Sequence, residues 1–312
     1  MTQTALISVG IPTYNRPEGL RIALQQVTRQ TYQNLEIIVS DNCSDDQQTV
    51  QNIVTEFSKQ DARIKFFRQT ENLGSLRNFQ FLLNQAKGEF FLWAADDDVI
   101  DEEYIEDLYS RFLKDPGTSI SMAAYDVNDT MSVPHIKTNL TLYLKEIEGG
   151  RAFDRMYNYL TQSDHFGKSR LMWGMFKAKE MREAFEFCLR NRKDQSVSPI
   201  WADIPAELRM LEKGRLSVGD KTLFHVNLLP SSDGKQGLGY GKKLRDFIDR
   251  SAYAYEKIIL DADLLESQKS KLLKVVKFNR LKNQASVFFY YELQRRLPWF
   301  ARVIKKMWYK FA

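Results

Sequence analysis

The chain has 312 residues, 43% of them hydrophobic, and a net charge of +5, enough for one large domain with a smaller appendage around a sizeable core. Its only cysteines, Cys43 and Cys188, exclude a disulfide framework and fit a reducing compartment. The first residues lack the basic and apolar blocks of a signal peptide, and no apolar run reaches the roughly 18 residues of a membrane span, so a cytoplasmic protein is expected.

The first hundred residues alternate strands with helices. Residues 6–12 read as a strand, 19–30 as a helix, 35–41 as a second strand and 47–59 as an amphipathic helix. Residues 64–67 follow as a third strand, 76–86 as a helix, and the apolar run from Phe90 as a fourth strand. This alternation predicts an α/β fold with a mostly parallel sheet flanked by helices. In such sheets ligands bind outside the carboxyl ends of the strands, at a switch point in strand order. Three strands end in polar or turn residues: Thr13-Tyr14-Asn15-Arg16-Pro17, Asp41-Asn42-Cys43-Ser44-Asp45-Asp46 and Asp96-Asp97-Asp98. All three clusters are therefore expected to face one crevice.

Further along, 102–114 reads as a helix, 119–125 as a strand, and 126–151 as a polar, irregular loop near the site. Residues 173–176 read as a short strand and 178–191 as a helix. Another helix opens at Trp201-Ala202-Asp203-Ile204-Pro205 and stops at Lys213-Gly214 with a glycine cap. Residues 223–228 form the last expected strand. The Gly- and Ser-rich stretch 231–241 marks a boundary, giving a domain over 1–230 and a basic, amphipathic helical region over 231–312.

The run Phe90-Phe91-Leu92-Trp93-Ala94-Ala95 ends abruptly in three carboxylates, Asp96, Asp97 and Asp98. Adjacent ionised acids repel one another by roughly 1 kcal/mol per close pair in water, and a bound divalent cation reverses the sign. Hard oxygen ligands of this kind suit Mg²⁺ or Mn²⁺, with water and substrate phosphate filling the other positions. The competing reading is a strand that ends in a solvated acidic turn. A dehydrogenase is not expected, because no Gly-x-Gly-x-x-Gly follows the first strand.

With these pieces placed, the chain resembles an inverting, family 2 glycosyltransferase of the GT-A fold. The resemblance rests on Val9-Gly10-Ile11-Pro12-Thr13-Tyr14-Asn15-Arg16, on the second strand through Asp46, on Glu71-Asn72-Leu73-Gly74 through Asn78, on Lys87-Gly88-Glu89-Phe90 and the acidic triplet, and on Ala202-Asp203 with Leu208 to Arg215. It covers roughly residues 5–228. It implies that the loop Pro12, Thr13, Tyr14 and Asn15 lies on the nucleotide of a sugar donor, and that Asp41 accepts a hydrogen bond from the base. A tyrosine offers a stacking face for such a ring. It also implies that Arg77 and Asn78 reach the donor from their helix, and that Asp96 and its neighbours hold Mn²⁺ or Mg²⁺ against the diphosphate. Two registers remain open for the metal motif, one using Asp96 and Asp98, the other Ala95-Asp96-Asp97 with Asp97 as the direct ligand.

The same resemblance makes Asp203 the base that deprotonates the acceptor hydroxyl, with Glu207 and Asp194 as fallbacks. This chain has Ala202-Asp203 where the family often has Glu-Asp. His225 reads as a core or rim residue, although a late histidine ligates metal in some GT-A enzymes; Cys43 has no expected role. The implied donor is a nucleotide-diphosphate sugar, with uridine favoured, and the acceptor a glycan or lipid-linked hydroxyl in surface polysaccharide assembly. Two rivals differ. A nucleotidyltransferase needs a Gly-rich loop where this chain has Pro12-Thr13-Tyr14-Asn15, and a catalytically silent relative would bind sugar nucleotides without turnover.

Charge is unevenly spread. From Gln268 to Ala312 there are twelve Lys or Arg against Glu292 alone, so the tail carries +11 and the preceding residues −6. Aromatic residues are interleaved with this charge, and 295–308 reads as an amphipathic helix started by Pro298. Such helices lie in the surface of anionic membranes, each basic residue contributing on the order of 1 kcal/mol. A peripheral position on the inner face of the cytoplasmic membrane is expected; the alternative is a solvated face on helices packed against the core. Nucleic acid is not an expected partner, because no recognisable module surrounds the charge.

Overall fold

In the computed structural model, residues 4–129, 136–139, 141–162, 168–193, 203–227 and 242–287 are described. The apolar runs form strands β1 (Ile7–Thr13), β2 (Leu35–Asp41), β3 (Ile64–Arg68) and β4 (Phe90–Trp93). Helices α1 (Pro17–Thr28), α2 (Gln47–Ser58) and α3 (Ser75–Gln85) separate them. Every residue of β2 and β4 is buried, as continuous apolar strands between two helix layers must be. Helix α1 buries Leu20, Ala23, Leu24 and Val27 along one stripe, and Pro17 starts it where a missing N–H costs nothing.

Beyond β4 come β5 (Val99–Ile100), α4 (Tyr104–Lys114), β6 (Thr118–Asp129), β7 (Ile136–Asn139), α5 (Thr141–Lys145) and α6 (Ala152–Thr161). A 3-10 turn (Lys168–Trp173) then leads into β8 (Met175–Lys177), α7 (Ala178–Arg190), α8 (Asp203–Lys213) and β9 (Arg215–Asn227). The strands form one sheet in the order β3-β2-β1-β4-β8-β6-β9-β5, with β7 added on β6. The first four are parallel; beyond them β4–β8, β6–β8, β6–β7 and β5–β9 are antiparallel and β6–β9 is parallel. The α/β expectation holds, with a parallel half followed by a mixed half.

Several boundaries differ from the sequence reading, and for physical reasons. The loop expected over 126–151 is largely ordered: β6 runs on to Asp129, β7 pairs back on it, and α5 and α6 follow. Its polar residues belong to a ladder, with Asp126 opposite His225 and Asn128 opposite Asn227 on β9. The last strand begins at Arg215 rather than near 223; its first half carries the polar Ser217, Asp220 and Lys221, and its pairing with β6 shifts register there. The strand expected at 173–176 is the end of the 3-10 turn followed by β8. Strand β5 has two residues, too few to show a period.

The chain divides into two units, Met1–Asn191 with Ser196–Leu229, and Pro230–Ala312 with Arg192–Gln195. In the second, α9 (Lys242–Asp261) and α10 (Glu266–Val287) pack together, held by Arg280 Nε and Gln284 Nε2 donating to Asp249 Oδ1 at 2.7 and 2.5 Å. The basic stretch is thus helical to Val287, but α10 is only weakly amphipathic, with Phe278 and Leu281 exposed among its lysines. The expected amphipathic helix over 295–308 lies outside the described residues. Among the described residues no helix is long and apolar enough to cross a membrane.

Candidate active site

Strand register brings the three polar loops together. Thr13 pairs with Asp41 across β1–β2, Gly10 pairs with Trp93 across β1–β4, and Ala94 N–H donates to Gly10 O at 2.9 Å. The loops after β1, β2 and β4 therefore leave the sheet side by side at its carboxyl edge. Asn15 takes a left-handed backbone (φ 53°), which a short polar side chain tolerates. Its N–H donates to Ser44 Oγ at 2.8 Å, its Oδ1 accepts from Asp45 N–H at 2.8 Å, and its Nδ2 donates to Asp45 Oδ2 at 2.9 Å. Three bonds lock the first loop to the second. Tyr14, held between Thr13 and Asn15, is 41% exposed, while Thr13 is buried and Pro12 half-buried.

Asp41 ends β2 with 0% exposure. Its Oδ1 accepts from Ser44 N–H at 2.9 Å and Ser44 Oγ at 2.6 Å, and its Oδ2 accepts from Arg68 Nη1. Arg68, the last residue of β3, is paired with Asp41 in register and also donates from Nη2 to Ser44 O at 2.9 Å.

The acidic triplet follows β4. Arg16 Nη1 lies 2.8 Å from Asp96 Oδ1 and 3.2 Å from Asp97 Oδ2, and Thr13 Oγ1 donates to Asp96 Oδ2 at 3.4 Å. The first turn of α1 comes so close that a Cβ on Gly19 would sit 2.2 Å from Asp96 O, which requires glycine there. Burial pushes Asp96 up to about 6, with Arg16 pulling it back and Asp97 adding to the rise. Asp98 is 6% exposed, and burial with the charge of Asp97 pushes it up to about 7. Its Oδ1 accepts from Asn227 N–H at 2.9 Å, and Asn227 Nδ2 donates to Asp97 O at 3.2 Å, so the end of β9 latches onto the triplet.

Among the described residues no group of three or more His, Cys, Asp or Glu is gathered as a closed metal site. The donor chemistry nevertheless fits a hard divalent ion that takes one or two carboxylates and completes its shell with phosphate and water. Asp96 and Asp97 share the Arg16 guanidinium, Asp98 stands beside them, and the raised Asp96 and Asp98 mark uncompensated negative charge. Asp98 Oδ1 is held by the end of β9, and Asp96 and Asp97 are held by Arg16, so an ion here would have to displace or share that guanidinium.

The remaining expected residues divide. Arg77 is exposed on α3, whereas Asn78 is buried, its amide spanning Ser40 Oγ at 2.6 Å and Ser40 O at 3.1 Å; it clamps α3 to β2 instead of reaching a ligand. Glu207 is 1% exposed and accepts from Tyr159 Oη at 2.8 Å, too enclosed to serve as a fallback base. Asp203 is the first residue of α8; its side chain, like all of Asp194 and Trp201, lies outside what is described. His225 Nδ1 is 3.0 Å from Asp126 Oδ1 and Nε2 is 3.5 Å from Asp101 Oδ1, a rim cluster of its own. Sequence reasoning missed the roles of Arg16, Arg68 and Asn227. The first could have been found by asking what balances the triplet; the other two needed the strand register.

A parallel α/β half that carries an acidic cluster at its carboxyl edge, continued by a mixed half, is the GT-A type of fold. Solved structures agree: the chain is similar to S. aureus TarS 1-349 in complex with UDP-GlcNAc (TM-score 0.63, 19% identity, 92% of this chain and 77% of that one). It is also similar to the mannosyltransferase PcManGT from Pyrobaculum calidifontis in complex with GDP-Man and Mn²⁺ (TM-score 0.56, 14% identity, 100% of this chain and 82% of that one). The sequence model of glycosyl transferase family 2 matches residues 8–179, more than half of the chain, and the chain belongs to that family. Among curated relatives, the GalNAc(5)-diNAcBac-PP-undecaprenol beta-1,3-glucosyltransferase of Campylobacter jejuni is 43% identical over 96 residues, 30% of this chain and 30% of that protein. The chain spans about a third or less of the length of the first curated relatives it matches.

Proposed function

We propose that this protein transfers a sugar from a nucleoside diphosphate sugar to a hydroxyl of a glycan or lipid-linked acceptor, with inversion. One observation carries the reading: in a family 2 chain, the loops after β1, β2 and β4 are bonded into a single rim through Asn15–Ser44/Asp45 and Arg16–Asp96/Asp97. The exposed Tyr14 ring supplies a stacking face for the base, and Arg77 on α3 a cation for the donor. Asp96 and Asp97 would hold the Mn²⁺ or Mg²⁺, in the register that uses Ala95-Asp96-Asp97. The ion, when bound, supplies Lewis-acid stabilisation of the departing diphosphate.

The transfer itself is a single displacement. The acceptor oxygen bonds to the anomeric carbon from the face opposite the nucleotide, its proton passes to the Asp203 carboxylate, and the bond from that carbon to the phosphate oxygen breaks. A carboxylate at the start of α8 is favoured in its ionised, proton-accepting form by the helix N-terminus. Uridine is the favoured donor nucleoside, supported by the UDP-GlcNAc of the TarS complex, and surface polysaccharide assembly the favoured setting, supported by a relative named for colanic acid biosynthesis.

The basic C-terminal region is proposed to keep the enzyme at an anionic membrane surface. Exposed Phe278 and Leu281 stand among Lys274, Lys277 and Lys282 on α10, which suits an interface of that kind. Co-sedimentation with phosphatidylglycerol vesicles, reversed by salt, is the expected behaviour; equal recovery with neutral vesicles would remove the claim.

The enzymatic reading is tested by screening sugar nucleotides for metal-dependent release of nucleoside diphosphate, in native protein and in Asp203→Asn. The expected result is release from one donor class, with Asp203→Asn binding that donor normally and turning over at least about 100-fold more slowly. Full turnover in Asp203→Asn would remove the base assignment, and tight binding without release from any donor would favour the silent relative.

A further inference from the structure

A single nitrogen stands where an ion on the acidic pair belongs. Arg16 Nη1 bridges Asp96 Oδ1 and Asp97 Oδ2, at 2.8 and 3.2 Å, and an ion bonded to both oxygens would occupy the same point. Two cations repel at that separation, so one must leave. The acids are poorly placed to turn away. Thr13 Oγ1 donates to Asp96 Oδ2 at 3.4 Å, and the first turn of α1 lies so close to the Asp96 carbonyl that only glycine fits at Gly19. The Arg16 backbone is pinned too, by the three bonds from Asn15 to Ser44 and Asp45 and by Leu20 N–H donating to Arg16 O at 3.0 Å. What is free to move is the Arg16 side chain, 25% exposed, whose partly solvated ion pairs are modest in strength and open to exchange.

Its position says where the side chain goes. Arg16 follows the exposed Tyr14 in the same loop, and its guanidinium already lies on the acidic pair, so a diphosphate that joins a base on Tyr14 to an ion on that pair passes beside it. A guanidinium forks onto phosphate as it does onto carboxylate. Resting on the donor and metal reading above, we infer that Arg16 keeps the place of the metal in the empty site, leaves Asp96 and Asp97 when the ion enters, and passes to the diphosphate that arrives with it. The consequence is a coupling. While Arg16 sits on the acids, the ion meets a competitor and the diphosphate lacks a partner; each ligand therefore removes a cost of binding the other, and the effect is reciprocal. The site resists a free divalent ion until a substrate is present to take the arginine.

Calorimetry on the full chain tests this with Mn²⁺ alone, and with inorganic pyrophosphate, UDP and GDP at saturating Mn²⁺. Arg16→Met should bind Mn²⁺ alone at least about fivefold more tightly than native protein, because the competitor is gone, yet bind pyrophosphate and the better-bound nucleotide about tenfold more weakly. The opposite signs are the signature. A merely structural arginine, once removed, would loosen the acids and weaken both ligands together. Arg16→Lys keeps a cation on the acids and should hold Mn²⁺ affinity near native while recovering part of the pyrophosphate affinity. Arg21→Met removes a charge further along α1 that is bonded to Glu56, and should shift Mn²⁺ affinity by less than about twofold. Arg16→Gln, with the same expected directions, serves if the methionine variant does not fold. The inference is overturned if neither neutral Arg16 variant gains affinity for Mn²⁺ alone, if Arg21→Met gains as much, or if pyrophosphate binding survives in both neutral variants. Native protein that binds neither Mn²⁺ nor any of these anions under any condition gives a different result, which removes the donor reading itself and the inference with it.

Discussion

Opposite edges of the same sheet treat buried carboxylates in opposite ways. At the amino end, Glu36 on β2 accepts from Lys65 Nζ at 2.7 Å, from Ser8 Oγ at 2.5 Å, and from the Lys87 and Gly88 N–H groups, the latter at 3.1 Å. Burial pushes Glu36 up, but the bonds from Lys65, Ser8 and Lys87 outweigh it and leave it below the usual carboxylate range. At the carboxyl end, burial dominates instead, and Asp96 and Asp98 rise to about 6 and about 7. One cluster closes the fold. The other retains excess charge that a ligand can satisfy, which is how active sites trade stability for chemistry.

The sharpest way to break this contrast is at Asp97. Asp97→Asn should fold normally and lower nucleoside diphosphate release by at least about 100-fold, since Lewis-acid stabilisation is worth several kcal/mol. Steady-state kinetics across a Mn²⁺ series checks it, and unchanged turnover would place the ion elsewhere.

The amino end should answer in the opposite sense. Glu36→Gln should cost about 2 kcal/mol in denaturant unfolding, through lost charge-assisted bonds, and leave donor affinity unchanged. Because the folded-state value of Glu36 is depressed, its contribution is present above the unfolded carboxylate range and is lost as pH falls through that depressed value. A kinetic defect without a stability defect would erase the distinction between the two ends.

For the raised pair the sign reverses. Asp98 is easier to ionise unfolded than folded, so in metal-free protein stability falls as pH climbs from about 4 through about 7. Asp98→Asn, whose amide oxygen can still accept from Asn227 N–H, should stabilise metal-free protein by roughly 1–2 kcal/mol at pH 8, the gain fading towards pH 4. Thermal melts at three pH values decide it; a destabilised variant at pH 8 would show that Asp98 is well compensated. The smallest effect is expected at the loop lock, where Asn15→Ala should weaken donor binding by roughly threefold to fivefold and leave the melt nearly unmoved.

Much of this was readable in the chain, and the residues show why. Strand β2 was read to its observed limits because seven apolar-rich residues stand between turn signals, and the three loops followed from the rule that ligands lie at carboxyl ends. Asn78 and Glu207 misled because polarity alone does not tell a buried clamp from a ligand contact; the difference is set by what packs over them. Strand β9 hid its first half because Asp220 and Lys221 interrupt its apolar pattern where its pairing with β6 shifts register. Arg68 and Asn227 acquire their roles from partners 27 and 129 residues away, a separation no local pattern encodes.

The most direct measurement strips the protein of metal and titrates Mn²⁺ by calorimetry, with and without saturating nucleoside diphosphate, following turnover alongside. The account predicts weak Mn²⁺ binding alone, where Arg16 already occupies Asp96 and Asp97, at least about tenfold tighter binding with the diphosphate present, and turnover only in the resupplied sample. Mn²⁺ affinity indifferent to the nucleotide, with equal turnover in both states, would contradict it.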